Sequence, residues 1–168
     1  MKTHSRFARF RAWFDARDFQ IAFLALFLWG GVYTRDWTLR WDAVATAIAT
    51  CLVTQALWMW ARSRKAESKV NEAYLQIPLW RSLVSASRSA AITSLSLCLL
   101  LRANSIFTIA IAAALAISSK FSIRVGGKHV FNPANFGIIA VVALTSDAWV
   151  SPGQWGTDAW LMLAFAGA

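Results

Sequence analysis

Long apolar runs separated by short, basic segments are the main pattern along this chain. Residues 42–61 carry no charged side chain after Asp42, and Arg102 is the only charged residue in the stretch 89–119. A helix needs about 20 predominantly apolar residues to cross the hydrocarbon core of a bilayer. Because the run at 42–61 reaches that length, the pattern predicts helices that span a membrane.

The pattern predicts an all-α fold, a polytopic transmembrane bundle of about five to six helices that includes short or broken ones. A basic segment at 1–17 is expected to lie as an interfacial helix on the membrane surface, ahead of a transmembrane domain at 18–168. The predicted spans are 18–33, 42–61, 89–101, 106–118, 133–145 and an incomplete sixth at 159–168. Because the chain stops inside that last apolar run, we expect it to be either the front part of a longer protein or a truncated gene product.

The third and fourth predicted spans are short. At about 1.5 Å per residue, the runs 89–101 and 106–118 cover only part of a hydrocarbon core that is roughly 30 Å thick. They either extend beyond the apolar run or form half-helices that are buried in protein. The preceding sequence LQIPLWRSLVSA, which includes Pro78, forms either an interfacial helix or a short re-entrant helix.

The basic residues predict the orientation. The formal net charge is +9, and with the amino terminus inside, all but three of the 17 Lys and Arg residues lie on the cytoplasmic side. The three exceptions are Arg35, Arg40 and Arg102. Positive residues accumulate in cytoplasmic loops, so the charge predicts a cytoplasmic-membrane protein whose amino terminus faces the cytoplasm. Membrane lipids, and not nucleic acid, are therefore the expected partners of this charge.

The composition indicates a membrane protein and argues against several kinds of cofactor site. The hydrophobic fraction is 58%, above the roughly 45–50% of soluble domains. Cys51 and Cys98 are the only cysteines, and both lie in predicted spans, where a thiol acts as a small hydrophobe. No metal-ligand spacing is present, so we expect neither a metal site nor an iron–sulfur centre. The chain has no dinucleotide-binding fingerprint, so we expect no direct NADH site.

Candidate chemistry lies in the segment 120–137, KFSIRVGGKHVFNPANFG. Gly126–Gly127 permits a tight turn, and Asn132 with Pro133 is typical of a helix start. The positive end of that helix faces the basic loop and is suited to an anion such as a nucleotide phosphate. The alternative is a capped helix after a basic cytoplasmic loop that binds nothing. The candidate ligand-binding residues are Lys128, His129, Asn132 and Asn135.

This segment, followed by DAWVSPGQWG, resembles a known family. It is similar to the membrane subunit that the sodium-pumping NADH:quinone oxidoreductase shares with the Rnf electron-transport complex, and most of all to short bacterial members. The resemblance covers roughly residues 80–160 well and the first two spans loosely. It implies a fold of two inverted repeats, of which this chain holds the first, in the cytoplasmic (inner) membrane of a bacterium.

The resemblance also implies a function. The family carries flavin in the membrane and couples electron transfer to sodium or proton movement, so the expected cofactor is FMN or riboflavin and the expected partners are other subunits of a membrane redox complex. One FMN in the family is attached through a threonine in a Ser-Gly-Ala-Thr type motif, and this chain contains no such motif. The resemblance makes Lys128, His129, Asn132 and Asn135 the candidate cofactor contacts.

Three functions remain open from the sequence. The first is a flavin-linked subunit of an ion-translocating redox complex, which is not a complete enzyme by itself. The second is a channel or small-solute transporter, although no predicted span carries the central acidic residue that is typical of an ion path. The third is a structural or assembly subunit, which needs no chemistry of its own. Bound flavin would favour the first function, and solute flux without a redox donor would favour the second. Activity of the complex that survives replacement of the candidate residues would favour the third.

Overall fold

The computed structural model of the protein describes residues 15–35, 39–67 and 79–151. In these ranges the chain is mostly helical, with five α-helices and four short β-strands. The helices are α1 (Ala16–Arg35), α2 (Trp41–Glu67), α3 (Leu79–Leu100), α4 (Ile106–Ser122) and α5 (Pro133–Leu144). The strands are β1 (Leu101–Ala103), β2 (Arg124–Val125), β3 (Lys128–His129) and β4 (Ala148–Val150). The predicted sixth span and nearly all of the predicted interfacial segment at 1–17 lie outside the described residues.

Each of the first five predicted spans corresponds to a helix. Two helical stretches, Trp41–Arg64 and Leu83–Leu100, are long and apolar enough to cross a membrane by length and composition alone, whereas α4 and α5 are apolar but shorter. The helix α5 has 12 residues, which corresponds to about 18 Å of length. The mostly helical fold is therefore as predicted, and the passage of all five helices through a bilayer remains a prediction.

The third helix corrects one expectation. From Leu79 onward, the segment predicted as a separate interfacial or re-entrant helix belongs to the continuous 22-residue helix α3. Arg88 lies within this helix, and its Nε lies 2.7 Å from Asp18 Oδ1 on α1. The helix α3 therefore begins well before the apolar run that starts at residue 89.

A short strand pair departs from the all-α prediction. The strand β1 follows α3 directly and pairs antiparallel with β4, with Leu101 opposite Val150 and Ala103 opposite Ala148. The Ser151 N–H continues the pairing by donating to the Leu100 carbonyl oxygen at 3.0 Å. Three-residue strands are too short to leave a periodic signal in the sequence, so the pattern did not predict them.

The helices alternate in direction between two ends of the bundle. At the strand end, defined by β1, β4 and the start of α2, Arg40 Nη1 donates to the Asn104 carbonyl oxygen at 2.6 Å. At the opposite, hairpin end, defined by β2 and β3, Trp58 Nε1 donates to Ser118 Oγ at 3.1 Å. The helices α2 and α4 therefore both run from the strand end to the hairpin end, whereas α3, which leads into β1, and α5, which leads toward β4, run the opposite way.

Alanine and cysteine fill much of the core beside buried leucine, isoleucine and valine, and many other large apolar residues lie outside. The buried set includes Ala47, Cys51, Ala90, Ala112, Ala113, Ala116 and Ala134. In contrast, Leu57, Ile111 and Ile139 are 58%, 51% and 66% exposed. In water-soluble helical proteins, large aliphatic residues fill the core. Small residues at helix contacts with large ones outside are typical of helices that pack within lipid.

A close helix contact joins α4 and α5 at Gly137. A Cβ atom at Gly137 would overlap the carbonyl oxygen of Ala112 and lie 2.9 Å from the Cβ of Ala116. Ala112 and Ala116 are four residues apart, so both lie on the same face of α4. This contact brings the start of α5, and with it the segment 120–137, against the end of α4.

Candidate functional site

Within the segment 120–137, residues 124–129 form a tight hairpin between α4 and α5. Gly126 and Gly127 have φ values of +58° and +80°, and Val125 pairs with Lys128 across them. Two consecutive residues with positive φ are the requirement of a two-residue type I′ hairpin turn, which glycine meets without strain. The predicted tight turn is therefore confirmed.

The backbone N–H groups at the start of α5 are hydrogen-bonded to Asn132. Asn132 Oδ1 accepts the N–H groups of Ala134 at 3.0 Å and Asn135 at 3.4 Å, and the Asn132 carbonyl oxygen accepts Phe136 N–H at 3.0 Å. Pro133 has no N–H. The predicted cap is confirmed, but the first turn of α5 keeps no N–H group for an anion. An anion site at this end of the bundle must therefore come from side chains.

Such side chains meet in a cavity of about 500 Å³ at the hairpin end, which we call the basic vestibule. It is lined by Arg17, Gln55, Met59, Ser85, Ala86, Ser89, Lys120, Phe121, Arg124 and His129. All of these lie on α1 to α4 or on the hairpin. Three of the lining residues are Lys or Arg, and none of these described lining residues is acidic. The vestibule therefore attracts anions.

Lys120 is held at the wall of the vestibule by two neighbouring helices. Its ammonium donates to Gln55 Oε1 on α2 at 3.0 Å and to Ser89 Oγ on α3 at 2.9 Å. Gln55 is buried, with only 7% of its surface exposed. An ammonium has three donors, and these two bonds orient the group while leaving a donor for a ligand.

Asp15 and Asp18, the acidic residues beside Arg17 in the sequence, both face Arg88, with Asp15 Oδ2 at 3.9 Å from Arg88 Nη1. Asp18 binds Arg88 through two contacts, of 2.7 Å to Nε and 2.9 Å to Nη2. Arg17, on the same turn of α1, donates to Ser85 Oγ at 3.2 Å and so points toward α3. Because the Asp18 carboxylate is paired with Arg88, it leaves the positive charge of the vestibule largely uncompensated.

An aromatic wall supports the same cavity. The rings of Trp58 and Phe121 stack with centroids 5.4 Å apart. The guanidinium carbon of Arg62 lies 4.9 Å from the Phe121 centroid, a cation–π contact. Arg62 Nη2 also donates to the Phe121 carbonyl oxygen at 3.2 Å. These contacts fix the end of α4, where Lys120 lies.

Of the four candidates from the sequence, His129 alone lines the vestibule. Lys128, Asn132 and Asn135 are exposed beside it and do not line it. Sequence reasoning missed Lys120, which lies just beyond the predicted span 106–118 but belongs to α4. One signal in the sequence could have indicated this contact: Gln55, which accepts from Lys120, is the only amide side chain in the apolar run 42–61.

A second cavity, of about 340 Å³, lies at the strand end between α2, α3 and β1. Arg102 lines it and donates to the carbonyl oxygens of Cys98 at 2.8 Å and Leu101 at 2.9 Å. Arg40, which also lines it, is paired with Asp42 at 2.6 Å. Both guanidinium groups are therefore engaged by protein groups at the strand end.

In residues 15–35, 39–67 and 79–151, no three His, Cys, Asp or Glu side chains come together as a metal site. No protein-family model matches the chain, and neither does any curated protein or any solved structure. The function is therefore inferred from the residues and their geometry.

Proposed function

We propose that the chain is a membrane-embedded subunit of a flavin-linked, ion-translocating electron-transport complex. The observation that carries the membrane location is the packing, with alanine and glycine between the helices and Leu57, Ile111 and Ile139 on the outer surface. Large exposed apolar surfaces are unfavourable in water but match the hydrocarbon of a bilayer. The five helices then cross or enter the membrane, and the short α5 is supported by its contact with α4.

The two ends of the bundle support an orientation. Among the described side chains, the hairpin end carries Arg17, Arg62, Arg64, Arg88, Lys120, Arg124 and Lys128, whereas the strand end carries Arg40 and Arg102. Cytoplasmic loops are enriched in Lys and Arg. We therefore place the hairpin end at the cytoplasmic face of a bacterial inner membrane.

The redox part of the proposal rests on the resemblance of KFSIRVGGKHVFNPANFG to the flavin-carrying membrane subunits. In the fold this segment is the end of α4, the hairpin and the start of α5, and the basic vestibule is lined by four of its residues, Lys120, Phe121, Arg124 and His129. His129, Lys128, Asn132 and Asn135 are exposed there and available to a flavin. A flavin bound at this position would be held without a covalent link to the family's attachment motif, which the chain lacks.

The membrane location is tested by fractionation. The full chain, expressed in bacterial cells, is expected to sediment with membranes and to resist extraction by alkaline carbonate, which removes peripheral proteins. Release of folded chain by carbonate would overturn the membrane location, because embedded helices cannot leave hydrocarbon without exposing their apolar surface.

The flavin is tested on protein purified in a mild nonionic detergent. We expect the visible absorbance of oxidised flavin, its bleaching by dithionite, and its complete release on denaturation. The His129→Ala variant is expected to retain less flavin, whereas Val125→Ala, on the same hairpin and 73% exposed, keeps the wild-type amount. Colourless protein with wild-type helix content would overturn the flavin assignment and leave the membrane location intact.

A further inference from the structure

An apolar groove adjoins the basic vestibule. The groove has a volume of about 290 Å³ between α2 and α3 and is lined by Leu52, Gln55, Ala56, Met59, Leu83, Val84, Ala86 and Ser87. Three of these residues, Gln55, Met59 and Ala86, also line the vestibule. The charged cavity and the apolar groove are therefore two parts of one continuous surface.

The two parts differ in what they can bind. The vestibule offers the cationic groups of Arg17, Lys120 and Arg124, together with the Ser89 hydroxyl, to an anion with several acceptor oxygens. Charge-assisted hydrogen bonds of this kind favour phosphate. The groove offers hydrocarbon side chains, and it reaches Leu52, about one helical turn farther from the hairpin end than Gln55. A ligand that matches both parts has a phosphate head and an aliphatic chain.

We propose that the vestibule and the groove together bind one anionic phospholipid, with its phosphate at Lys120, Arg17 and Arg124 and an acyl chain between α2 and α3. The proposal rests on the membrane location proposed above and does not depend on the flavin. The hairpin end faces the cytoplasmic leaflet, whose anionic lipids are attracted by basic residues near the surface. A soluble phosphate ester would use the vestibule and leave the groove empty.

The fixed position of the Lys120 ammonium would make this site selective for a phosphate, unlike a general basic surface. The ammonium is fixed by Gln55 and Ser89 on two different helices, so little side-chain freedom is lost when it binds a ligand. Surface lysines must lose this freedom on binding. A lipid phosphate at Lys120 would also join α2, α3 and α4, and its binding should therefore stabilise the bundle.

The experiment titrates the full chain, purified in a nonionic detergent, with four probes: short-chain phosphatidylglycerol, short-chain phosphatidylcholine, glycerol 1-phosphate and FMN. Binding is measured by isothermal titration calorimetry. We expect the phosphatidylglycerol to bind at least about tenfold more tightly than each of the other three, which is about 1.4 kcal/mol. Equal binding of the two lipids would overturn the role of the charge, and equal binding of glycerol 1-phosphate would overturn the role of the groove.

Matched variants separate the site from its surroundings. Arg124→Gln removes a vestibule charge whose described bond is to the Gly127 carbonyl oxygen of the hairpin, and it should weaken phosphatidylglycerol binding about fivefold. Arg64→Gln removes a charge that lies over the Trp60 ring at the same end of the bundle, and it should leave the affinity unchanged. Equal losses in both variants would mean that bulk surface charge binds the lipid, which overturns the proposal.

The groove is tested by filling it. Ala56→Phe places a ring in the groove and should weaken phosphatidylglycerol binding without changing that of glycerol 1-phosphate. Val53→Phe, also on α2 but outside the groove and 58% exposed, should change neither. An Ala56→Phe variant that binds the lipid like the wild type would show that the acyl chain lies elsewhere.

The outcomes also separate this site from the proposed function. Tighter binding of FMN than of the lipid would assign the vestibule to the flavin and overturn the lipid site. Selective lipid binding by a colourless protein would overturn the flavin and support the lipid site. A chain that carbonate releases would overturn the membrane location and with it the lipid site, whereas a carbonate-resistant chain without selective lipid binding would overturn the lipid site alone.

Discussion

The carboxylate of Asp147 accepts a hydrogen bond of 2.5 Å from the hydroxyl of Thr108. The same oxygen, Oδ2, accepts the Ser105 N–H at 3.1 Å, immediately before α4 begins. One side chain therefore ties the segment between α5 and β4 to the first turn of α4. The hydrogen bond from Thr108, with help from the Ser105 amide, holds the pKa of the Asp147 carboxyl below its usual value.

This relationship predicts a pH-dependent stability. Because the pKa of Asp147 is lower in the folded state, the ionised carboxylate stabilises the fold above the unfolded-state pKa of about 3.9. That stabilisation begins to fall as the pH drops below this value and is lost below the lowered folded-state pKa. Thermal unfolding followed by circular dichroism should show a smaller acid-induced drop of the midpoint in Asp147→Asn than in the wild type. The neighbouring Ser146→Ala serves as control and should behave like the wild type, whereas equal acid sensitivity in Asp147→Asn would contradict the prediction.

The contact of Gly137 with α4 predicts a loss of stability on adding a single methyl group. Gly137→Ala places a Cβ against the Ala112 carbonyl oxygen and the Ala116 Cβ, so α4 and α5 must separate. The expected loss is about 1–3 kcal/mol in the free energy of unfolding. Denaturation in mixed micelles of dodecyl sulfate and a nonionic detergent measures it.

A matched glycine provides the control for that experiment. A Cβ atom at Gly30, within α1, meets nothing within 4 Å. Gly30→Ala should therefore leave stability unchanged or raise it by up to about 1 kcal/mol through helix propensity. Equal stability of Gly137→Ala and Gly30→Ala would show that the α4–α5 contact is looser than described.

The ion pair between Asp18 and Arg88 should attach α1 to α3. Its two contacts, at 2.7 and 2.9 Å, join side chains that are each 30% exposed. Asp18→Asn should reduce the free energy of unfolding by about 1 kcal/mol, and the swap of Asp18→Arg with Arg88→Asp should recover part of that loss. Asp42→Asn breaks a pair whose side chains are about half exposed and should cost less. A swap no better than the single variant would contradict a direct interaction.

The orientation of the bundle predicts which end reacts from outside the cell. In a chain with Cys51→Ala and Cys98→Ser, a membrane-impermeant maleimide should label the Trp149→Cys variant in intact spheroplasts. The Lys128→Cys variant should be labelled only after lysis, because the hairpin end faces the cytoplasm in the proposed orientation. The reverse pattern would invert the proposed topology, and labelling of both in intact cells would argue against a barrier between the two ends.

Local signals in the sequence determined where helices begin and turns occur. The start of α4 at Ile106 and of α5 at Pro133 is as predicted. Both starts have a capping side chain next to them: Ser105 accepts the Phe107 N–H and Asn132 accepts that of Ala134. Capping depends on residues two or three positions apart, and the turn at Gly126–Gly127 on two adjacent ones, so such features can be read without the fold.

Local sequence signals did not determine the helix ends and strands that depend on a partner far away in the chain. The extension of α3 before residue 89 accompanies the pairing of Arg88 with Asp18, 70 residues away. Likewise, β1 has a partner only because β4 returns to the same end of the bundle. An isolated segment carries no signal for such pairings, because their free energy comes from groups that approach each other only on folding.

The basic vestibule is the clearest case of a feature that only the tertiary structure decided. The sequence placed Lys128, His129, Asn132 and Asn135 near one another because they are neighbours along the chain. Lys120 meets Gln55 from 65 residues away and Ser89 from 31. That meeting depends on how each helix is rotated about its axis and how closely its neighbours approach, which small residues such as Ala112 and Gly137 control. Hydrophobic pattern alone specifies the length of a helix and the end at which its charges lie, and packing decides which polar side chains share a cavity.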